Sequence, residues 1–115
     1  MAFDKTTKLL GDQQAYTISQ QIKKFSLKDV GFQETKNGNF ILKRSLDPSS
    51  PYNAAVELKV TVNSDLNGFK FAALAANGMR EVNIFKMEKS AAYLEQFHYI
   101  MATLSDREII EPVQA

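Results

Sequence analysis

The sequence predicts an α+β fold: mostly antiparallel β-sheets, built from hairpins, packed against a single C-terminal α-helix. Three observations point there. A nine-residue stretch, AAVELKVTV at 54–62, alternates apolar and polar residues with a period of two. Asn-Gly pairs at 37–38, 67–68 and 77–78 fall between apolar runs, where hairpin corners belong. One long segment near the C-terminus, MEKSAAYLEQFHYIMATLS at 87–105, carries helical periodicity instead. Strands first and a helix last is the order of an α+β chain with an antiparallel sheet. No right-handed βαβ unit can be drawn, so a Rossmann-like enzyme is excluded.

Each element follows from local chemistry. FDKTTKL and AYTIS read as short strands in the N-terminal third. The segment SQQIKKFSLKDVGF, 19–32, suits neither period well. The alternation of Phe25 and Leu27 tips it towards strand or turn. Asn37-Gly38 turns GFQET back onto NFILKRS. LDPSSPYN, 46–53, is the longest turn-rich stretch. In the 54–62 strand, Val56, Leu58, Val60 and Val62 share one face and Glu57, Lys59 and Thr61 the other. Asn67-Gly68 closes the connection NSDLNG to the next strand. A type I′ turn at Asn77-Gly78 then sets Ala75 opposite Arg80, Ala73 opposite Val82, Phe71 opposite Ile84 and Phe69 opposite Lys86. That register gathers Phe69, Phe71, Ala73, Val82 and Ile84 on one face. On the helix, Tyr93, Leu94, Phe97, Ile100, Met101 and Leu104 span an arc of roughly 120°, a stripe for the sheet. A short edge strand at Glu108–Ile110 is expected before Pro112 stops it.

Bulk composition bounds the function. The 115 residues fit one domain over 1–115. A hydrophobic fraction of 44% and a charged fraction of 23% are ordinary for a soluble protein. The net charge is +1, and the adjacent basic pairs are Lys23-Lys24 and Lys43-Arg44. Nucleic-acid binding draws on a strong basic excess, so it is not expected. With no cysteine, disulfides, thiolate metal sites and cysteine nucleophiles are ruled out. No apolar run reaches the ~18 residues of a membrane span, and the N-terminus lacks a signal-peptide core. A cytoplasmic location is expected. No G-x-G-x-x-G or Walker-type loop is present, so the glycines read as corners rather than as a phosphate cradle.

The site candidates are few. His98 is the single histidine and borders the helix stripe. It can serve as a general base or simply as a solvated boundary residue. One histidine without cysteine leaves only carboxylates as metal partners, so neither a metal nor a cofactor is expected. Arg44, Asp47 and Tyr52 flank the 46–53 loop, where a guanidinium could meet the carboxylate of a small amino-acid-like ligand. Alternatively, Asp47 initiates the turn before Pro48 and pairs with Arg44 on the surface. Tyr52 doubles as an acid/base candidate. Arg80 opens the last hairpin strand on the side of Val82 and Ile84, so it must find an anion, a carbonyl or solvent. Tyr99 and Phe85 fall on exposed faces and offer a partner surface, including a homodimer.

Taken together, GNF-x-L-x-RSLDP at 38–48, SPYNAA at 50–55, NGMR-x-VNIFK at 77–86 and the helix after them resemble a small Firmicutes family. It is a domain of unknown function, common in lactic-acid bacteria, whose provisional assignment is amino-acid metabolism. The resemblance spans about residues 30–115. It implies β-sheets packed against a single helix, and a distant fold likeness to prokaryotic S-adenosylmethionine decarboxylases. Their chemistry does not carry over. They self-cleave at Glu-Ser to form a pyruvoyl group and use a cysteine, and this chain has neither. The resemblance thus implies an accessory or small-ligand-binding protein of amino-acid metabolism. A protein-interaction module, or a small enzyme using His98 or Tyr52, is the alternative.

Overall fold

Period-two patterning and hairpin corners build two antiparallel sheets in the computed structural model of the chain, which describes residues 3–46, 56–75, 80–87 and 90–113. The larger sheet has the order β3-β4-β5-β6, with β3 at Gln33–Glu34, β4 at Phe40–Ser45, β5 at Val56–Val62 and β6 at Phe69–Ala75. The smaller has the order β1-β2-β7, from Thr6–Lys8, Ala15–Ile18 and Ile110–Pro112. Helices α1, Lys24–Val30, and α2, Ser90–Asp106, complete the α+β architecture, with a 3₁₀ turn at Ile84–Lys86.

Register explains the large sheet. Leu42, Val60 and Phe71 stand opposite one another across β4, β5 and β6, as do Phe40, Val62 and Phe69. All six are buried. The next row along this face is Arg44, Leu58 and Ala73; Leu58 and Ala73 are buried, while Arg44 stands exposed at the margin. The opposite face carries Lys43, Lys59 and Lys70. On α2 the expected stripe is buried at Tyr93, Phe97, Ile100, Met101 and Leu104, with Leu94 half-buried beside it. The two sheets and the helix meet in one aromatic cluster. Tyr16 of β2 makes edge contacts with Phe71 of β6 and Phe97 of α2, ring centroids 5.9 Å apart in each case. Phe97 is fully enclosed.

Several expectations are corrected. The 69–86 hairpin has the expected register at its closed end: Ala75 N–H donates to the Arg80 carbonyl at 2.8 Å and Val82 N–H to the Ala73 carbonyl at 2.9 Å. It does not continue to Phe71–Ile84. The Asn83 side-chain oxygen accepts from Phe85 N–H at 2.9 Å, which winds the chain into the 3₁₀ turn. Phe69 pairs instead with Asp4. The Asn77-Gly78 corner and the 47–55 stretch lie outside the described residues. Gly38 turns with φ +85°, but Asn37 stays at negative φ, so this corner is a wider loop over 35–39 and not a type I′ pair. At 63–68 the left-handed residue is Leu66, at φ 58°. Gly68 is needed for another reason: a Cβ there would sit 2.9 Å from the Phe3 Cβ and 3.1 Å from its carbonyl carbon.

The helix is not single. Residues 24–30 form α1, where strand or turn was expected. Its stop is a Schellman motif: Phe32 N–H donates to the Leu27 carbonyl at 2.9 Å and Gly31 N–H to the Lys28 carbonyl at 3.2 Å, with Gly31 at φ 118°. The same motif ends α2, with Ile109 N–H on the Leu104 carbonyl and Glu108 N–H on that of Ser105. There Glu108 takes the left-handed place, at φ 58°. The edge strand therefore begins later than expected, at Ile110, and includes Pro112. Proline is tolerated because β7 pairs on one side only.

Candidate functional site

Every α-helix leaves its last carbonyls without intrahelical partners. In α1 the Schellman bonds satisfy Leu27 and Lys28. Arg44 reaches across from β4 and donates from Nη2 to the Val30 carbonyl at 2.5 Å. A Cβ on Gly31 would stand 3.1 Å from that same nitrogen. Glycine at 31 thus ends the helix and also leaves room for the guanidinium. The consequence is a fixed arginine rather than a free surface chain.

Beside it lies a groove of about 330 Å³, near the lower end of the ~300–1,000 Å³ range of small-molecule sites. Its floor is Leu42 and Ile100, both buried. One wall is the end of α1 at Asp29 and Val30; the other is the flank of α2 at Gln96, Tyr99 and Thr103. Arg107 closes the end, where the α2 stop places it. Thr103 spends its hydroxyl proton on the Tyr99 carbonyl at 3.1 Å. The Tyr99 ring is 70% exposed and forms the lip. Among the described residues the ion pair found is Lys28–Glu34 at 3.9 Å, away from this groove. Asp29, Arg44 and Arg107 therefore line one cavity with no ion pair between them among the described residues. Such an arrangement can hold a carboxylate on the guanidiniums and a cationic group on the aspartate.

The candidates from sequence divide sharply. Arg44 stands in the groove. Asp47 and Tyr52 lie outside the described residues. Arg80 is exposed, with its carbonyl bonded to Ala75, and does not line the groove. His98 is exposed on another flank of α2, its ring 5.5 Å from that of Phe97. A shallow depression there also touches Ser105 and Asp106. These lie about two helical turns along α2, so at about 1.5 Å per residue they are roughly 10–12 Å from His98 along the axis. That spacing does not place a nucleophile or an orienting acid on the imidazole. Phe85, expected on an exposed face, is half-buried against the core. Asp29, Gln96 and Arg107 were not singled out by sequence.

One titratable group of the core is perturbed. Burial raises the Tyr16 phenol above its ordinary value of 10.0, and the charge of Asp12 adds to the rise. This tyrosine therefore stays neutral at neutral pH and acts as packing. No group of three or more metal-ligating side chains occurs among the described residues. Nor is any helix there long and apolar enough to cross a membrane.

A family model described as "DUF1831: Putative amino acid metabolism" matches residues 1–111. The chain is also similar to a crystal structure of a DUF1831 family protein from Lactobacillus plantarum, at 45% sequence identity and a TM-score of 0.90. The match covers 98% of this chain and 99% of that one. No curated protein matches the sequence. Neither of the two matches names a decarboxylase.

Proposed function

The chain belongs to the DUF1831 family, and on that footing we propose that it is a cytosolic accessory protein of amino-acid metabolism that binds a small amino-acid-like ligand. The observation that carries this reading is the convergence of Arg44 and Arg107, far apart in sequence, on one groove with an apolar floor. Arg44 is already oriented by its bond to Val30, so little ordering entropy is lost when a carboxylate arrives. Asp29 supplies the complement for an ammonium group. Binding is set by a few polar groups over an apolar base, the usual composition of a small-molecule site.

A thermal-shift screen against the common amino acids and their keto acids tests it. A ligand at ~100 times its dissociation constant stabilises the folded state by about 2.7 kcal/mol. For a domain of this size that is a rise of several degrees in Tm. The rise is expected to vanish in Arg107→Gln. A flat panel, with the variant indistinguishable from wild type, removes the reading.

Tyr99 supports a second one, a homodimer or a protein-interaction module, because its ring is 70% exposed. Sedimentation of Tyr99→Lys beside wild type decides this. Equal monomeric masses at high concentration count against it.

A further inference from the structure

Resting on the small-ligand reading of the same groove, we infer that its preferred ligand is an acidic α-amino acid, with net charge −1, rather than a neutral amino acid or a keto acid. Charge matching carries the inference. The groove presents two guanidiniums, Arg44 and Arg107, and one carboxylate, Asp29. None of the three is held in an ion pair among the described residues. A neutral amino acid, with one carboxylate and one ammonium, would engage one arginine and Asp29. The second guanidinium would then face the ligand side chain unpaired. A dicarboxylate without an amine would satisfy both arginines and leave Asp29 against like charge. An acidic amino acid alone matches all three: two carboxylates on two arginines, and its ammonium on Asp29.

Placement agrees with charge. Arg44 is fixed on one side of the groove by the Val30 carbonyl, and Arg107 stands at the far end of the α2 wall. The two guanidiniums come from different elements, one on β4 and one just past α2, and a ligand with a carboxylate at each end offers each of them its own anion. Between them Leu42 and Ile100 offer an apolar floor for the methylenes that join the two carboxylates. Gln96 and Tyr99, on the α2 flank, add neutral hydrogen-bonding groups at the lip. The volume of about 330 Å³ leaves room for a ligand of this size together with bridging water.

Calorimetric titration of the full chain with L-glutamate, L-aspartate, L-glutamine, L-asparagine and glutarate tests the inference. Glutamate or aspartate is expected to bind at least about fivefold tighter than its amide, the order of one partly exposed charge pair. Arg107→Gln should abolish that preference, and Asp29→Asn should abolish the preference for glutamate over glutarate. Circular dichroism on each variant reports folding separately, and both residues are exposed. Equal binding of acids and amides would overturn the acidic class while leaving the amino-acid reading intact. Equal binding of glutarate and glutamate would overturn the role of Asp29. If none of the five binds but another amino acid does, the inference fails alone; if no amino acid binds, both fail.

Discussion

The two flanks of α2 do opposite work with the same backbone. On one flank Phe97, Ile100, Met101 and Leu104 are buried, and Phe97 touches both Tyr16 and Phe71. On the other, Gln96, Tyr99, Thr103 and, just past the helix, Arg107 line a groove, and none of the four is fully buried. The first flank determines whether the chain folds. The second is expected to change at little cost, and on the proposed reading the groups placed there beside Arg44 serve a ligand. Substitutions should separate the flanks cleanly.

The largest effect belongs to the packed flank. Phe97→Ala should lower the unfolding free energy by about 3–5 kcal/mol, because it empties the point where both sheets meet the helix. Urea denaturation measures it. A loss under about 1 kcal/mol would mean that the cluster is not the centre of the core. Gly31→Ala comes next, where the core ends and the groove begins. A side chain at φ 118° is strained, and the new Cβ meets the Arg44 guanidinium at 3.1 Å. A cost of about 1–2 kcal/mol is expected. Repeating the change in an Arg44→Ala background should shrink that cost; an unchanged cost would show that backbone strain alone is at work.

A smaller effect is confined to high pH. The Tyr16 phenol has its folded pKa raised, by burial first and by Asp12 second. The unfolded chain therefore gives up this proton at lower pH than the folded one. The contribution is fully present below about 10 and is lost as pH rises through the folded value. Tyr16→Phe should remove that part of the alkaline loss, read as a flatter Tm-against-pH curve above pH 10. Parallel curves for the two proteins would refute it.

The same contrast explains what the sequence could and could not reveal. The strands of the large sheet and the stripe of α2 were legible because burial repeats with a fixed period, two in β5 and near 3.6 in α2. Helix α1 was not. It has seven residues, no side-chain cap at Lys23, and a single fully buried side chain, Leu27, so no period can be read from it. Gly31 after Lys28 was its one available stop signal. The second strand of the 69–86 hairpin is shorter than its pattern predicts, because Asn83 suits a strand until its side chain caps Phe85. The groove was half legible. Arg44 stood out beside a loop. Its partners Asp29 and Arg107 come from two helix ends that only tertiary structure brings together, and no spacing rule connects them.

The smallest expected change in stability is therefore the most informative about function. Arg107 is exposed, lies just past the end of α2 and lines the groove. Its replacement by glutamine should shift the unfolding free energy by no more than about 0.5 kcal/mol, the usual range for a surface site without a structural partner. Arg44 is a poorer probe, since its loss also leaves the Val30 carbonyl without its donor. Arg107→Gln thus separates the flanks: an unchanged denaturant midpoint together with lost ligand stabilisation assigns the exposed flank to binding. A drop of 2 kcal/mol or more, well beyond that surface range, would instead place Arg107 in the fold, and the distinction between a structural and a functional side of α2 would fail.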